Sequence, residues 1–372
     1  MIDAKTYLAN FLRLADVQIQ GTRPWDIQVH NERLYSRILA QGSLGFGDAY
    51  IDGWWDCEAL DELLMRLLRT GIEQHIGRRD WRVVFLHLQA RFLNRQSKYR
   101  AGIVGRVHYD LGNQLYQAML GKRLMYSCAY WKSAKNLDAA QDAKLELCCK
   151  KLGLQPGMRV LDIGCGWGGF ALYAAQRYDV QVVGITISEQ QVAFAKPLIK
   201  DLPVEIRLQD YRELHESFDR IISIGMFEHV GNKNYATFMD VVRRNLKDDG
   251  LFLLHTIGGN ISATLGDPWI NRHIFPNAVL PSAAQICQSA EGRVVLEDWH
   301  SFGQDYDRTL LAWWKNFNQA WPVLQSSYDE RFYRMWRFYL LSCAGTFRGR
   351  QNQLWQIIFS KNGVPGGYQS IR

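Results

Sequence analysis

The stretch LDIGCGWGG, residues 161–169, decides the fold of this chain. Its first residues end the apolar run MRVLDI (158–163), which predicts a strand, and a predicted helix follows the glycines. Gly164 and Gly166 allow the backbone to turn sharply and leave room for a ligand to approach it. Asp162, two residues before the first glycine, is placed to hold the amino group of an amino-acid-like ligand.

Strands and helices alternate on both sides of this loop. The further predicted strands are residues 180–186, 204–208, 218–224 and 250–256, with helices predicted over 171–178, 188–199 and 235–246. This alternation predicts an α/β fold, a parallel sheet covered by helices on both faces. A dinucleotide-binding fold is the rival explanation of the glycines. Asp162, and the acid that follows the third strand in LQDY (208–211), argue against that rival.

The residues up to about 95 are predicted to form a mainly helical N-terminal domain, which would gather anionic lipid through its basic surface if the protein acts at a membrane. Segment 60–69 has apolar positions at three- and four-residue spacing, whereas GFGDAYIDGWW (45–55) predicts a turn that breaks the helical pattern. Residues 77–100 predict a basic amphipathic helix. Such a helix either lies at an anionic membrane interface or docks by its apolar face and leaves its arginines in solvent.

A polar, basic linker is predicted over 96–105, ahead of a second domain that covers 106–372 and contains the glycine-rich loop. The tail from Trp299 is rich in aromatic residues and is predicted to be helical, including segments 310–317 and 331–339. These aromatic helices are expected to line a channel for an apolar ligand.

The overall composition suggests where the protein works. Its 372 residues favour two domains, and 44 Lys and Arg against 37 Asp and Glu give a net charge of +7. That excess favours an anionic partner, nucleic acid or a phospholipid surface, although a basic protein without such a partner is equally consistent. The seven cysteines show no C-x-x-C spacing, so a reducing cytosol is expected and no metal site is predicted. Neither a secretory signal nor a membrane span is predicted.

The loop at 161–169 resembles motif I of the class I methyltransferases, which implies a Rossmann-like sheet that binds S-adenosylmethionine. The implied cofactor-binding residues lie in this loop and after the next two strands: Asp162, Gly164, Gly166, Thr186, Gln191, Gln209, Asp210 and Tyr211. Thr186 and Gln191 would replace the acid that usually ends the second strand and binds the ribose. Asp210 and Tyr211 would border the adenine.

Five segments resemble the cyclopropane fatty acid synthases, over nearly the whole chain. They are HYDLGN (108–113), YSCAYW (126–131), GMFEHVG (225–231), LHTIG (254–258) and FGQDYD (302–307). The resemblance implies that the activated methyl of S-adenosylmethionine is transferred to a cis double bond, which then closes to a cyclopropane ring. The N-terminal extension and the tryptophan-rich tail resemble the branch that acts on membrane phospholipids.

The resemblance also implies a bound bicarbonate ion as the base that completes ring closure. Its ligands would be Cys128, Glu228, His255, Tyr306 and the backbone of Ile257. Since a carboxylate beside an anion is repulsive, either Glu228 or the bicarbonate must carry a shared proton. Tyr126 and Ser127 would bind the carboxylate end of S-adenosylmethionine, and the ring of Tyr306 can stabilise cationic charge.

Each of these residues also has a purely structural explanation. Cys128 can be a small buried apolar residue, and His255 can satisfy a backbone carbonyl. Glu228 begins a helix, where an acid is favoured by the helix dipole. Cys343 is a further candidate for a nucleophilic mechanism, but direct transfer needs no covalent enzyme intermediate, which favours a structural role for this residue.

Three functions remain in competition at this point. The first is a cyclopropane synthase on the cytoplasmic face of the membrane, bound peripherally to anionic lipid and, by family likeness, homodimeric. The second is a related methyltransferase that acts on another lipid or an amine, against which the full bicarbonate set argues. The third is a nucleic-acid or lipid binder with a degenerate enzyme domain. The intact glycine loop and pocket residues argue against it, so no nucleic-acid partner is expected.

Overall fold

The computed structural model describes residues 3–71 and 112–372. The predicted basic helix (77–100), the predicted linker (96–105) and residues 108–111 of the first family segment lie outside the described residues. The described residues form two compact units. One combines the N-terminal residues with Leu265–Pro276 and Tyr306–Asn352, and the other contains the remainder of the chain up to Arg372.

The second unit is built on a seven-stranded sheet. Its strands are β1 (Arg159–Ile163), β2 (Gln181–Thr186), β3 (Val204–Leu208), β4 (Phe218–Ile224), β5 (Leu246–Gly259), β6 (Val295–Ser301) and β7 (Asn352–Ser360). Their order is β3-β2-β1-β4-β5-β7-β6. The pairs β1–β2, β2–β3, β1–β4 and β4–β5 are parallel, and β6 is antiparallel to β7. The predicted α/β fold is confirmed.

The order of the strands determines where a ligand can bind. From β1 the chain moves outward through β2 to β3, then returns to place β4 on the other side of β1. Connections therefore diverge at the carboxyl ends of β1 and β4, and such divergence opens a crevice in parallel sheets. The glycine-rich loop at 161–169 lies at this point, directly after β1.

Twelve α-helices are found among the described residues. They are α1 (Ala4–Leu14), α2 (Arg33–Ile51), α3 (Leu60–Arg69), α4 (Asn113–Leu120), α5 (Leu137–Lys151), α6 (Gly169–Tyr178), α7 (Glu189–Ala195), α8 (Tyr235–Asn245), α9 (Pro268–His273), α10 (Ala283–Ala290), α11 (Gln304–Leu324) and α12 (Glu330–Arg348). Short 3-10 turns cover Lys196–Leu198, Tyr211–Glu213, Phe227–His229 and Asn232–Asn234, and Gln28–Val29 pairs with Trp55–Asp56. None of the helices in these ranges is long and apolar enough to cross a membrane.

The aromatic tail is only partly helical, contrary to the prediction. Helices α11 and α12 contain the two segments predicted to be helical, but β6 and β7 flank them and belong to the sheet. Nearly every residue of β7 is buried, which is typical of a central strand, and a strand buried on both faces carries no alternating pattern. The tail therefore divides between the two units, so 106–372 is not one continuous compact body.

The predicted turn at 45–55 is wrong over most of its length. Helix α2 continues to Ile51, and its backbone breaks earlier, at Gly42, where φ is 58° and ψ is −134°. Gly47 serves close packing instead. A Cβ atom at this position would lie 2.5 Å from the indole of Trp269, so only glycine lets that ring approach the helix. Both residues belong to the first unit.

Candidate active site

The glycine-rich loop turns as the sequence predicts. Gly164 and Gly166 have φ values of +82° and +56°, a region that favours glycine. The backbone N–H groups of Gly164 and Cys165 each donate to the carbonyl of Ile185 at 3.0 Å, which fixes the loop against the end of β2. A Cβ atom on Gly164 would lie 2.7 Å from Cγ of Met226, so the loop also packs closely against the end of β4.

A buried acid and a buried lysine lie beside this loop. Asp162 at the end of β1 is 2% exposed, and burial raises its pKa to about 7, opposed by the charge of Lys144. Lys144 on α5 is fully buried, and its Nζ donates to Oγ of Ser127 at 3.0 Å. Burial lowers the pKa of Lys144 to about 8. Lys144 was not predicted as a site residue, because charged residues recur along the whole of α5 and none stands out.

Helix α5 also holds the 126–128 segment in place. Nε2 of Gln141 donates to the carbonyl of Ser127 at 3.0 Å, in addition to the bond from Lys144 to its hydroxyl. The ring of Tyr126 lies 5.3 Å from that of Tyr116. Cys128 is fully buried, with Sγ 3.1 Å from the carbonyl oxygen of Ala129. Helix α5 therefore anchors this segment through Ser127, and Tyr126 packs against α4.

Thr186 and Gln191, both predicted to face the ribose, contact each other. Oγ1 of Thr186 donates to Oε1 of Gln191 at 2.6 Å, and both residues are buried. The amide N–H of Gln209 donates to the carbonyl of Thr186 at 2.9 Å, so the ends of β2 and β3 are tied together. The Thr186–Gln191 pair sits at the end of β2 and presents polar atoms where an acid is usually found.

Asp210 and Tyr211 follow β3 but are occupied within the protein. The carboxylate of Asp210 accepts from the backbone N–H and from Nε of Arg212, at 2.9 and 2.8 Å. The ring of Tyr211 lies in the core, 5.4 Å from that of Phe238, and burial raises the pKa of Tyr211 to about 12. A role of either residue at the adenine stays a prediction.

Glu228 and the backbone of Ile257, two members of the predicted ligand set, are in contact. Oε1 of Glu228 accepts the backbone N–H of Ile257 at 2.7 Å. Its other oxygen, Oε2, is buried and makes no hydrogen bond to any residue that the structure describes. Burial raises the pKa of Glu228 to about 7, although the Ile257 N–H opposes the shift. This carboxyl therefore exchanges its proton near neutral pH.

His255 lies next to these residues on β5, paired in register with Ile224 of β4. Its side chain is 1% exposed, and Nδ1 lies 3.2 Å from Nε2 of Gln356 on β7. Within residues 3–71 and 112–372, Nε2 of His255 has no hydrogen-bond partner. Burial, reinforced by the charges of Lys144 and Lys151, holds the pKa of His255 well below its usual value. The imidazole is therefore neutral.

Gln356 was missed because its strand was not predicted. It lies in the middle of β7, is fully buried, and contacts both His255 and Cys148. A glutamine in the buried run NQLWQIIFS (352–360) is itself a signal, since a buried amide must find partners. That signal becomes readable only once the run is recognised as a central strand.

Tyr306 and Cys343 belong to the first unit. The ring of Tyr306 lies 4.6 Å from that of Phe347 and 5.9 Å from that of Trp313, within an aromatic cluster of α11 and α12. Burial of the thiol raises the pKa of Cys343 to about 12, so this cysteine stays protonated and is a poor nucleophile. The bicarbonate role of Tyr306 stays a prediction.

The described site thus combines a neutral imidazole with a carboxyl that titrates near neutral pH. Each has one buried polar atom without a protein partner among the described residues, Nε2 of His255 and Oε2 of Glu228. Buried polar atoms are rarely left without a hydrogen bond, so this arrangement points to a small polar ligand. When Nε2 of His255 carries the imidazole proton and Glu228 is protonated, both atoms donate hydrogen bonds, which suits an oxyanion in this buried site.

Comparison with known proteins relates this geometry to a family. Residues 96–357 match the family described as mycolic acid cyclopropane synthetase. The chain is 54% identical over 361 residues to the cyclopropane-fatty-acyl-phospholipid synthase of Escherichia coli K12, covering 97% of this chain and 94% of that protein.

Solved structures of cyclopropane synthases are also similar to this chain. A cyclopropane synthase from Mycobacterium tuberculosis matches with a TM-score of 0.66 at 32% identity, covering 70% of this chain and 98% of that one. A mycolic acid cyclopropane synthase complexed with SAH and CTAB matches with a TM-score of 0.65 at 33% identity and the same coverage. The chain therefore belongs to the mycolic acid cyclopropane synthetase family and is an enzyme of the class I methyltransferase fold.

Proposed function

We propose that this enzyme transfers a methylene group from S-adenosylmethionine to the cis double bond of an unsaturated acyl chain in membrane phospholipid. The products are a cyclopropane acyl chain, S-adenosylhomocysteine and a proton. The observation that carries the proposal is the buried pair of Glu228 and His255, each with an open polar atom at the carboxyl edge of the sheet. The named activity of the Escherichia coli relative supports it.

S-adenosylmethionine fits the residues around the glycine-rich loop. No atom lies within 4 Å of the place where a Cβ of Gly166 would stand, so a ligand can lie against the backbone there. Lys144 and Ser127 form a buried donor pair that suits the carboxylate end of the methionine part. Asp162, a buried acid, suits the ammonium group of the same ligand.

The proposed reaction requires a base at the site. Methyl transfer to an isolated alkene leaves a carbocation, and the ring closes only when a proton leaves the newly added methyl. S-adenosylmethionine supplies the one-carbon unit, and bicarbonate, when bound, supplies a weak base that is not itself alkylated. The enzyme must therefore hold a small oxyanion in a dry pocket and tolerate cationic charge nearby.

Glu228 and His255 fit that oxyanion. With a pKa near 7, Glu228 can carry a proton on Oε2 and donate it in a hydrogen bond, which removes the repulsion between two anions. His255 is neutral and offers a second donor. Cys128, the backbone of Ile257 and Tyr306 complete the proposed ligand set. In this structure the Ile257 N–H binds Glu228, so it would have to be shared with the ion.

The proposal extends to the setting of the enzyme. It is proposed to bind peripherally to anionic lipid on the cytoplasmic side of the membrane, without nucleic acid, and to form a homodimer. The support for lipid binding is the net charge of +7 together with the phospholipid in the name of the Escherichia coli relative. Sedimentation of the purified protein tests the dimer directly, because a monomer would overturn that part.

The decisive experiment incubates the purified protein with S-adenosylmethionine, bicarbonate and vesicles of cis-unsaturated phospholipid, followed by mass spectrometry of the acyl chains. We expect a gain of one carbon and two hydrogens that resists hydrogenation. Glu228→Ala and Cys128→Ser should lose this product. Glu291→Ala, a change at an exposed glutamate beyond α10, should keep it.

Other outcomes point to the alternative. A methyl-branched product would indicate transfer without ring closure. No product, while S-adenosylmethionine still binds, would favour a methyltransferase that acts on another lipid or an amine.

A further inference from the structure

Gln356 occupies an unusual position between two groups of the site. It is fully buried in the middle of β7, and its amide nitrogen Nε2 lies 3.2 Å from Nδ1 of His255. The same nitrogen lies 3.2 Å from Sγ of Cys148 on α5. One amide nitrogen thus connects the imidazole to a helix on the face of the sheet.

With the amide of Gln356 oriented as in the structure, Nε2 towards His255, this contact determines which nitrogen of His255 carries the proton. An amide nitrogen donates two hydrogen bonds and accepts none, so Nδ1 must be the acceptor. A neutral imidazole has one N–H, which is then on Nε2. His255 is kept neutral by its burial and by the nearby charges of Lys144 and Lys151. Its Nε2 is the atom without a protein partner among the described residues.

We propose that Gln356 is a positioning residue that holds His255 in its Nε2–H form, with that N–H directed at the small oxyanion of the reaction. The role at the oxyanion rests on the proposed function, whereas the choice of tautomer does not. With the proton on Nδ1 instead, Nε2 would present a lone pair to an anion, and an attractive contact would become a repulsive one.

Cys148 takes the other hydrogen of the amide nitrogen. Burial raises the pKa of Cys148 to about 11, so the thiol stays neutral, and its sulfur accepts the second N–H of Gln356. Both hydrogens of the amide nitrogen are then used, one on each neighbour. His255 thus contacts Gln356 of β7, feels the charges of Lys144 and Lys151 of α5, and has the ring of Phe302 6.1 Å away.

The tautomer can be measured directly. The full-length protein, labelled with ¹⁵N in its histidines, should show His255 protonated on Nε2 and unprotonated on Nδ1, with the signal assigned by its loss in His255→Gln. In Gln356→Met, which has a similar volume but no N–H, the Nδ1–H form should gain population. A wild-type His255 that is protonated on Nδ1 would overturn the inference.

Kinetics test the consequence. Gln356→Met should raise the KM for bicarbonate about 10-fold, as expected for one lost hydrogen bond to a charged group, and leave S-adenosylmethionine binding unchanged. An unchanged KM for bicarbonate would refute the positioning role. The control is Gln353→Met, the same change three residues earlier on the opposite face of β7, which should leave that KM near the wild-type value.

A second variant gives a signature that a merely structural role would not. In Gln356→Glu, a protonated carboxyl donates to Nδ1 as the amide does, whereas an ionised one accepts from Nδ1–H and reverses the tautomer. The ratio of variant to wild-type kcat/KM for bicarbonate should therefore fall as pH rises. A ratio that does not change with pH would count against the inference.

Failure of the proposed function would be recognised separately. If the wild-type enzyme forms no cyclopropane, the proposed function fails, while the labelled protein still reports the tautomer of His255. If the enzyme forms cyclopropane with bicarbonate but Gln356→Met changes neither tautomer nor KM, only the positioning role fails.

Discussion

Two buried carboxyls and a buried lysine set the electrostatics of the site. Burial raises the pKa values of Asp162 and Glu228 to about 7 and lowers that of Lys144 to about 8. All three shifts favour the neutral form, because a low-dielectric interior disfavours charge. These three groups therefore titrate close to physiological pH, where the charge of a bound ligand can decide whether each group is protonated.

The raised pKa of Glu228 predicts how stability depends on pH. Between the ordinary glutamate value of 4.5 and about 7, the folded protein binds more protons than the unfolded one. The free energy of unfolding should therefore fall as pH rises through this window. The full contribution of this one group is about 3 kcal/mol, from 1.36 kcal/mol per pKa unit.

Urea unfolding at pH 5 and pH 8, in buffer without bicarbonate, measures this effect. Glu228→Gln replaces the carboxyl by a neutral amide of similar shape, so the variant should lose less stability than the wild type between the two pH values. Asp162 titrates in both proteins and cancels from the comparison. Equal losses in both proteins would show that Glu228 is already ionised at low pH.

Helix α5 illustrates what an element contributes to the site. Its buried face carries polar residues at helical spacing: Gln141, Lys144, Cys148 and Lys151. Gln141 and Lys144 donate hydrogen bonds to Ser127, and Cys148 accepts one from Gln356. An amphipathic pattern normally places apolar residues on the buried face, so periodicity gives no indication that this helix turns polar groups inward.

The close contact between β5 and β7 predicts that Gly258 cannot be enlarged without loss of stability. A Cβ atom on Gly258 would lie 1.9 Å from Cζ3 of Trp355, a buried ring that would have to shift. Gly258→Ala should therefore lower the free energy of unfolding by about 1–3 kcal/mol, the usual cost of overpacking. It should also reduce activity, because Ile257 and the carboxyl of Glu228 lie directly beside it.

The neighbouring glycine is a matched control. A Cβ atom on Gly259 would meet no atom closer than 3.6 Å, so Gly259→Ala should have little effect. Urea titration of both variants gives the comparison. Similar stabilities for the two would mean that Trp355 can shift, and that the packing of β7 on β5 is looser than the structure indicates.

The positive net charge of the whole molecule predicts that it binds vesicles of anionic phospholipid. With an excess of 7 positive charges, the protein should co-sediment with vesicles that contain anionic phospholipid and much less with neutral vesicles. Binding should weaken as salt rises from about 0.05 to 0.5 M, since salt screens surface charge. The control is single-stranded RNA whose phosphate concentration equals that of the anionic phospholipid. Equal, equally salt-sensitive retention on RNA would indicate a nonspecific basic surface and no preference for lipid.

The sequence by itself determined the framework of the protein. The glycine-rich loop and the alternating pattern predicted the α/β sheet, and strands β1 to β5 form where apolar runs were recognised. Strands and turns leave local signals, so the pattern of neighbouring residues is sufficient to reveal them. Glu228, His255 and Ser127 were named because the short motifs that contain them resemble those of a known family.

The tertiary structure alone decided the rest. Strands β6 and β7 exist because distant segments pair, which no local pattern records, and β7 brings Gln356 to His255 across 101 residues of sequence. The burial of Lys144 likewise follows from how α5 packs. Charge states in the site depend on that burial, because the energy of an ion is set by everything around it, and that surrounding is assembled only when the chain folds.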